Sequence, residues 1–526
     1  MEYIAAPIPP KVAAQKRGGH GRELRGELAQ RGSDLTEGRF GRMFRTLPPA
    51  KNTIGMLEKL ADVMAAEPED HETPEDKRDG EENERLPAGY TYLGQFIDHD
   101  LTFDPNSSLE QLNDPEALVD FRTPRFDLDS VYGRGPADQP YMYADDFHFL
   151  LGRKLTGSEF DANTRDLPRN NPEHGPLGRS GDPRALIGDP RNDENVIVSQ
   201  LQGIFLRFHN RMADKMLAAR SDTQFSDVQQ EVRWHYQWVV LHDFLPRIVD
   251  MSVLTDVLPG FVPQKRLPED FRPNLRIFNW RKSPFMPVEF SAAVYRFGHS
   301  MVRPIYRLNS TLPGRFHIFS KDPTDSLVGF REFPSIWAID WRLFFPIEER
   351  PKLGRDRVQP AYKMDTSIVN PLKSLPNPIV PAQPTVQRNL AYRNLVRGLQ
   401  MGLPSGQSVA RRIGAVQLKP EELVVGKATG DKADQQTPLI KVDPQFEHNA
   451  PLWYYILAEA QRDKNDTKLG GVGARIVAEV FVGLMMGDSH SFLAQYPSWC
   501  PAGVLDEKNP RPFDMAEFIR EAVKAP

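Results

Sequence analysis

The sequence lacks three features that would each point to a particular class of protein. Its single cysteine, Cys500, excludes an intramolecular disulfide, so the cysteine content gives no reason to expect an oxidising compartment. No segment has the long apolar run that crosses a bilayer, and the first residues show no apolar signal-peptide core. A net charge of −5 gives no basic footprint for nucleic acid or an anionic membrane surface. A cytoplasmic location is the plainest expectation, and export without a recognisable signal is the alternative.

The composition that is present fits one large domain. Hydrophobic residues make up 40% of the chain, which is enough for a sizeable core, and the 47 prolines predict long irregular connections. We predict a mainly α fold, with a single large helical domain over residues 51–526 preceded by an arm over residues 1–50. The charge-dense run at residues 67–87 predicts a solvated, mobile loop.

Apolar residues recur at helical spacing in eight segments of the sequence. The strongest pattern covers Asn195–Leu217, and Asn192 or Asp193 is the expected N-cap just before it. Convincing alternating strands are few, and the sequence has no internal repeat. The predicted helices are Thr53–Ala66, Asn195–Leu217, Val228–Val249, Phe290–Val302, Gln387–Met401, Leu452–Arg462, Ala474–Met486 and Met515–Val523.

An acid–imidazole–acid triplet is the first candidate for chemistry. In LGQFIDHDLTFDP, which begins at Leu93, Asp98 and Asp100 flank His99 among apolar neighbours. On a helix, Gln95 and His99 share a face and the two acids fan out about 100° to either side of His99. A purely structural interpretation, a buried histidine satisfied by two capping acids, stays open at this point.

Oxygen-bearing groups recur at every second residue of TPRFDLDSVYG. Thr123, the Arg125 carbonyl, Asp127 and Asp129 follow one another in this way. In an extended loop such spacing brings oxygens around one centre, and Ca²⁺ takes six to eight oxygen ligands. The stretch lacks the glycine and glutamate of an EF-hand, and Asp100 is able to supply a further anion. An acidic turn without a metal is the alternative.

Two further stretches pair a charged residue with a helix. In GDPRNDENV, Arg191 precedes a predicted helix and Glu194 falls in its first turn, which also fits an N-cap with a surface ion pair. In FSAAVYRFGHSMV, Arg296 and His299 stand three residues apart on an apolar helix, so both need buried partners. Iron coordination by His299, with Arg296 on a haem propionate, satisfies both, and a core histidine is the alternative.

In this order, GQFIDHD, FDLDSVYG, GDPRNDE and YRFGHSM resemble the motifs of animal-type haem peroxidases of the peroxidase–cyclooxygenase superfamily, in a bacterial-like branch. The resemblance runs from about Tyr90 to Arg412. It implies a mainly α haem-peroxidase domain with core motifs at residues 90–412. It also implies a peroxidase that uses H2O2 to oxidise halide, thiocyanate or phenolic donors through a ferryl intermediate.

The resemblance implies a catalytic role for three residues on one side of the haem. His99 matches the distal histidine, the general base and acid toward peroxide, and an imidazole suits this role because its ordinary pKa lies near neutrality. Arg191 matches the distal arginine, which stabilises negative charge as the O–O bond breaks. Gln95 matches the glutamine that orders a distal water or halide.

On the other side of the haem, His299 matches the axial ligand of the iron. Asn394 matches the asparagine that accepts a hydrogen bond from the second ring nitrogen of that ligand, which raises its basicity. Arg296 and Arg397 are implied partners of the haem propionates.

The resemblance also implies how the haem is attached and supported. Asp98 and Glu194 match acids that form ester bonds to haem methyl groups in many relatives, so an ester-linked derivative of haem b is expected. Asn195 stands where relatives with a further sulfonium link carry methionine, so no such link is expected. The implied calcium ligands are Asp100, Thr123, Arg125 through its carbonyl, Asp127 and Asp129.

Two alternatives remain open. The first is a fatty-acid dioxygenase or cyclooxygenase-like haem enzyme of the same superfamily. Such enzymes carry a radical-forming tyrosine three residues before the ligand, where this chain has Arg296, and the neighbouring Tyr295 is expected to point about 100° away. The second is a non-catalytic, calcium-stabilised binding module. In every case the expected partners are small molecules, without nucleic acid or a membrane span.

Overall fold

The computed structural model describes most of the chain from residue 38 onward. Of the predicted arm, residues 1–37 lie outside the described residues, and so do residues 68–72 of the predicted acidic loop. The described ranges are 38–67, 73–102, 119–120, 122–170, 183–281, 284–377, 379–380, 387–429, 436–463, 467–505 and 511–524.

Helices dominate the fold, as predicted. Short 3-10 helices connect several of them, including Pro190–Asp193 and Val294–His299. The α-helices are α1 Ile54–Met64, α2 Gly89–Leu101, α3 Asp129–Tyr132, α4 Val196–Ala219, α5 Phe225–Val239, α6 Leu245–Ile248, α7 Met251–Val257, α8 Val288–Ala292, α9 Leu390–Gln400, α10 Gly406–Ile413, α11 Leu439–Val442, α12 Leu452–Asp463, α13 Gly471–Gly487, α14 Phe492–Gln495 and α15 Met515–Val523.

The strands are short and lie at the edges of the helical body. In the described residues, β3, β1 and β4 form a three-stranded sheet, and β2–β7, β5–β6 and β8–β9 form antiparallel pairs. The strands are β1 Gly38–Gly41, β2 Glu82–Pro87, β3 Val119–Asp120, β4 Met286–Pro287, β5 Ile305–Tyr306, β6 Phe316–His317, β7 Pro360–Tyr362, β8 Val424–Val425 and β9 Thr437–Pro438.

Stacked aromatic rings join the central helices. Phe96 of α2 stacks on Phe205 of α4, with ring centroids 4.2 Å apart. Phe208, also on α4, stacks on Phe518 of α15 with centroids 3.8 Å apart. Such ring contacts stabilise packing beyond the burial of the apolar rings themselves. They hold α4 between α2 and α15, and they fix the position of α2, whose polar face meets the site.

The helix predicted over Val228–Val249 is present with one irregularity. It runs as α5, a π-helical turn over Val240–Phe244, and α6. Pro246 has no N–H to bond the carbonyl of His242, and that carbonyl accepts from Gln264 Nε2 at 3.3 Å instead. No helix in the described part of the chain is long and apolar enough to cross a membrane.

Two helix predictions are wrong in detail. The segment Phe290–Val302 is not one α-helix, because the backbone leaves the helical region at Ala293 (φ −138°, ψ −71°) and continues as a 3-10 helix. The N-cap of α4 is Asn195, whose Oδ1 accepts from two backbone N–H groups at 3.1 and 2.9 Å. Glu194 therefore precedes the helix and does not lie in its first turn.

The loop predicted over residues 67–87 is wrong for its second part. Glu82 begins β2, which pairs with β7. Its side chain is 6% exposed and forms ion pairs with Arg303 and Arg357. Arg303 and Arg357 are buried cations that need an anion, and their ion pairs with Glu82 hold this segment against the helical domain. The charge density of the segment itself does not reveal these distant partners.

Candidate active site

A cavity with about 1210 Å³ of empty space, mouth included, lies between α2 and the 3-10 helix Val294–His299. Its wall contains both His99 and His299, whose positions in the sequence are 200 residues apart. Polar side chains from α2 and from the start of α4 line one side. The apolar lining includes Phe244, Met301, Val302, Ile318, Phe319, Leu372, Leu375, Ile379 and Leu390.

His99 is held by Asn192, which the sequence analysis considered only as a helix N-cap. Its Nδ1 lies 2.7 Å from Oδ1 of Asn192, in the 3-10 helix Pro190–Asp193. Burial lowers the pKa of His99 to about 3, and the positive charge of Arg191 acts in the same direction. The ring is therefore neutral near pH 7, with one ring nitrogen available as an acceptor.

Arg191 lies on the cavity wall beside His99. Its guanidinium binds both oxygens of Asp189, at 3.1 and 2.8 Å, and Nη2 donates to the carbonyls of His99 and Thr102. Asp189 also pairs with Arg122 at 2.6 Å, and the two arginines hold the pKa of this fully buried carboxyl well below its usual range despite burial. Asp189 thus fixes a cation at the cavity.

Gln95 is clamped between two side chains at the start of α4. Its Nε2 donates to Glu194 Oε2 at 2.8 Å, and its Oε1 accepts from Asn195 Nδ2 at 3.1 Å. Burial raises the pKa of Glu194 to about 7, although Arg191 and the bond from Gln95 act against it. The same Asn195 caps α4, so its amide is committed on both sides.

Asp98 also lines the cavity, on the turn of α2 that carries His99. Thr102 donates to its Oδ1 at 3.3 Å. Burial raises the pKa of Asp98, while the positive charges of Arg191 and Arg296 lower it. Burial thus opposes the charge of this carboxyl, and the two arginines favour it.

His299 ends the 3-10 helix on the opposite side of the cavity. Its Nδ1 lies 2.7 Å from Nδ2 of Asn394, on α9, and Asn394 Oδ1 accepts from Arg296 at 2.9 Å. In this arrangement Asn394 does not accept the expected hydrogen bond from His299, because its amide nitrogen faces the ring and its oxygen faces Arg296. Burial, with Arg296 nearby, lowers the pKa of His299 to about 3.

Positive charge concentrates around His299. Burial lowers the pKa of Arg296 to about 10; Asp98 opposes this shift, whereas Arg397 and Arg393 reinforce it. Trp453 donates to the Arg296 carbonyl at 3.1 Å and fixes the backbone there. Like charges on guanidinium groups that are partly withdrawn from water favour an anion beside them.

Behind His99, three carboxylates converge. Asp100, Asp127 and Asp129 each place an oxygen within 4.8 Å of the others. Leu128 takes a left-handed conformation (φ 57°), an uncommon one for leucine, between the two acids of the loop. Thr123 Oγ1 donates to Asp127 at 2.6 Å, and one oxygen each of Asp100 and Asp129 is buried without a hydrogen bond.

The charges of this cluster are not balanced within it. Burial, with Asp127 and Asp129 close by, raises the pKa of Asp100 well above its usual range. Burial raises the pKa of Asp129 to about 7, against the pull of Arg122. A hard cation would satisfy both the repelling charges and the two carboxylate oxygens that lack partners.

The structure brings the predicted residues into two neighbouring sites. The cavity gathers the predicted distal residues, the predicted ester-forming acids, His299 and Arg296, and the acid cluster lies one residue beyond His99. The sequence analysis missed the roles of Arg122, Asp189 and Asn192. Asp189 had a signal, since aspartate before proline is a favoured start of a helical turn, whereas Asn192 had none.

Comparisons with known proteins agree with this arrangement. The sequence model of the animal haem peroxidase family matches residues 106–489, well over half of the chain, and begins just after the His99 segment. Peroxidasin from Drosophila melanogaster is 24% identical over 402 residues, which cover 74% of this chain and 23% of peroxidasin. The chain thus spans less than a quarter of the length of that relative.

Two solved structures share the fold. Peroxidase A from Dictyostelium discoideum has a TM-score of 0.55 at 15% identity, covering 94% of both chains. The fatty acid alpha-dioxygenase of Arabidopsis thaliana has a TM-score of 0.55 at 13% identity, covering 91% of this chain and 76% of the dioxygenase. With the family match over residues 106–489, the conclusion is direct: this chain belongs to the animal haem peroxidase family.

Proposed function

We propose that this protein is a haem peroxidase that uses hydrogen peroxide to oxidise small donors such as halides, thiocyanate or phenols. One observation carries the proposal: His99 and His299, from distant parts of the chain, lie on the wall of one cavity together with Arg191. Peroxide chemistry at a haem needs an axial ligand on one face and an acid–base group with a fixed cation on the other.

The apolar lining of the cavity and its charges suit a haem. Apolar side chains line much of it, as a porphyrin requires, and Arg296 lies in its wall with Arg397 nearby. Those cations match the two propionates, which would place negative charge beside them. When bound, the haem supplies the iron that peroxide oxidises and the oxidising equivalents that pass to the donor.

His99 and Arg191 supply the acid–base and electrostatic contributions. The neutral ring of His99 can accept a proton from hydrogen peroxide and return it to the leaving oxygen. Arg191, held by Asp189, places fixed positive charge beside that oxygen. Gln95, clamped by Glu194 and Asn195, presents an immobile amide to the same space.

His299 would hold the iron through the ring nitrogen that does not face Asn394. Ligation in this way needs the proton on Nδ1, so the amide oxygen of Asn394 must face the ring. Arg296 now occupies that oxygen. Haem binding therefore has to draw Arg296 away, and a propionate is the group that would do so.

Asp98 and Glu194 are the proposed sites of ester bonds to the haem. Both carboxyls line the cavity, and burial raises the pKa of each, that of Glu194 to about 7. Extraction with acidified organic solvent tests this: haem should stay with the denatured wild-type chain and be released from an Asp98→Val, Glu194→Gln variant. Complete release from wild type would contradict the ester bonds.

Calcium is the proposed ion at the acid cluster. Asp100, Asp127 and Asp129 provide the charge, and Thr123 and the Arg125 carbonyl are the proposed neutral ligands. Oxygen ligands alone, some of them uncharged, favour Ca²⁺ over softer metals.

A visible spectrum joined to a donor panel tests the proposed function. Protein expressed with added haem precursor should show a strong Soret band. It should oxidise iodide, bromide, thiocyanate or a phenol only when peroxide is present. Absence of the Soret band would overturn the proposal and favour a non-catalytic, calcium-stabilised binding module.

Dioxygenation of a fatty acid is a second candidate, and one observation favours it. Tyr295 lines the cavity, as does Arg296, which stands where the dioxygenases and cyclooxygenases carry their radical-forming tyrosine. The hydroxyl of Tyr295 is buried without a hydrogen bond. Oxygen uptake with an unsaturated fatty acid, lost in Tyr295→Phe, would support this candidate; peroxide-dependent oxidation unaffected by Tyr295→Phe supports the peroxidase.

A further inference from the structure

We propose that Asn192 is a positioning residue for His99, and that its amide holds the imidazole in the tautomer whose Nε2 is unprotonated. The inference rests on the proposed function, since this tautomer has a catalytic consequence only if His99 takes a proton from peroxide.

The contact itself sets the tautomer. Asn192 Oδ1 lies 2.7 Å from His99 Nδ1, and both side chains are buried, with Asn192 fully so and His99 4% exposed. An amide oxygen only accepts hydrogen bonds, so the one N–H of a neutral imidazole has to be on Nδ1. Nε2 then carries a lone pair, which is what a base toward peroxide requires.

A second side chain sets the orientation of the Asn192 amide. Asn192 Nδ2 donates to Oε1 of Gln202, on α4, at 2.9 Å, and Gln202 is itself fully buried. Reversing the Asn192 amide alone would bring two amide oxygens together and set an N–H against His99 Nδ1. The competing arrangement has both amides reversed, and it predicts the opposite tautomer, with the proton on Nε2.

The backbone places this amide with little freedom. Asn192 stands in the 3-10 helix Pro190–Asp193, where Asp189 caps the turn by accepting from the Arg191 N–H at 2.9 Å. Arg191, in the same turn, donates to the carbonyl of His99 at 3.1 Å. One turn therefore contacts both the ring and the backbone of His99. Only the contact to the ring determines which ring nitrogen carries the proton.

Three variants separate positioning from folding. Asn192→Leu keeps the approximate shape and removes the acceptor. Asn192→Asp keeps an oxygen toward Nδ1, and Gln202 can turn its Nε2, which lacks a hydrogen-bond partner, toward the new carboxylate. Asn210→Leu is the control, because Asn210, on α4, likewise makes two hydrogen bonds through its amide, at 2.8 and 3.0 Å, but to the backbone of Phe149 and away from the cavity.

The first measurement is the tautomer of His99 in the haem-loaded protein, in its diamagnetic, carbon monoxide-bound ferrous form. The ¹⁵N chemical shifts of the ring nitrogens in histidine-labelled protein report the tautomer. The signals of His99 are identified as those that are missing from the spectrum of His99→Gln. We expect the proton on Nδ1 in wild type and in Asn192→Asp, and a shift toward Nε2 in Asn192→Leu. The proton on Nε2 in wild type would overturn the proposal.

The second measurement is the rate constant for reaction of the haem protein with hydrogen peroxide. Asn192→Leu should lower it roughly 10- to 100-fold, the usual cost of losing a partner that orients a histidine. Asn192→Asp and Asn210→Leu should stay near wild type, and the KM for the donor should not change. An unchanged rate in haem-loaded Asn192→Leu would refute the positioning role, whereas a wild-type protein without haem would refute the proposed function instead.

Discussion

At the scale of single residues, the two histidines of the cavity show how neighbours determine what an imidazole can do. Burial lowers the pKa of both rings to about 3, so both are neutral near pH 7. His99 Nδ1 faces the amide oxygen of Asn192, whereas His299 Nδ1 faces the amide nitrogen of Asn394. His99 Nε2 is therefore left as a proton acceptor, whereas the proposed binding of iron by His299 requires the Asn394 amide to turn its oxygen toward Nδ1.

His299→Ala should abolish stable haem binding, because the variant removes the proposed axial ligand of the iron. The measurement is the haem-to-protein ratio of purified protein, read from the Soret band and a haem extraction. His448→Ala is the control, since that side chain is 83% exposed. Full haem content in His299→Ala would refute the axial assignment.

His99→Ala should keep the haem and lose the fast reaction with peroxide. Removing a general acid–base group costs roughly 10²- to 10⁴-fold, so the second-order rate constant for peroxide should fall by that order. Stopped-flow absorbance in the Soret region measures it on the haem-loaded variant. A rate equal to that of wild type would show that His99 does not transfer the proton.

At the scale of elements, α2 joins the acid cluster to the cavity. Asp100 belongs to the cluster and His99 to the cavity, so adjacent residues of one helix serve two sites. A second connection runs through side chains: Arg122 approaches Asp129 at 3.7 Å and pairs with Asp189, which holds Arg191. Binding of the proposed ion to the cluster should therefore affect the positions of His99 and Arg191.

Calcium should stabilise the chain and speed its reaction with peroxide. A ligand at 100 times its dissociation constant adds about 2.7 kcal/mol to the free energy of unfolding. The melting temperature should therefore rise on adding Ca²⁺ to chelator-treated protein, and the peroxide rate constant should recover with it. Thermal unfolding and stopped-flow measurements on the same samples follow the two effects.

Two aspartate variants test whether the acid cluster is the calcium site. Asp129→Asn removes a charge from the cluster and should abolish the calcium-dependent rise. Asp145→Asn alters an exposed aspartate that only bonds its own loop and His148, so the rise should persist. A calcium response that survives Asp129→Asn would place the ion elsewhere.

The elements also show how far sequence patterns reach. α15, which buries one apolar stripe, begins and ends at the predicted residues. α4 lies within two residues of prediction at each end, because its apolar residues recur at helical spacing although it is buried on all sides over residues 196–209. The helix predicted over Phe290–Val302 is wrong, since the backbone breaks at Ala293, where the sequence carries no glycine or proline to signal a break. The order of the motifs predicted where the site lies. The contact between Asn192 and the ring of His99 was found only in the structure.

At the scale of the whole molecule, buried glutamates tie distant segments together. Glu289 accepts from the N–H groups of Met43 and Phe44, and Glu479 accepts from those of residues 276–278. Glu459, on α12, accepts from Val472 and Gly473 at 2.7 and 3.2 Å. It thereby caps α13, whose own N-cap, Gly470, has no side chain to do so.

Glu459→Gln should make the stability of the whole chain less dependent on pH. Burial raises the pKa of Glu459 to about 7 from its ordinary 4.5, although the two N–H groups lower it. The folded state therefore holds the proton more tightly than the unfolded state, and this group's contribution to stability is lost as pH rises from 4.5 through 7. The glutamine introduced by the substitution cannot titrate, so between pH 5 and 8 the free energy of unfolding of the variant should rise by about 2 kcal/mol relative to that of wild type.

Denaturant unfolding at several pH values measures this difference, and Glu421→Gln, at an exposed glutamate, is the control. A difference between variant and wild type that stays constant with pH would mean that Glu459 is already ionised throughout, and that its two N–H bonds outweigh its burial.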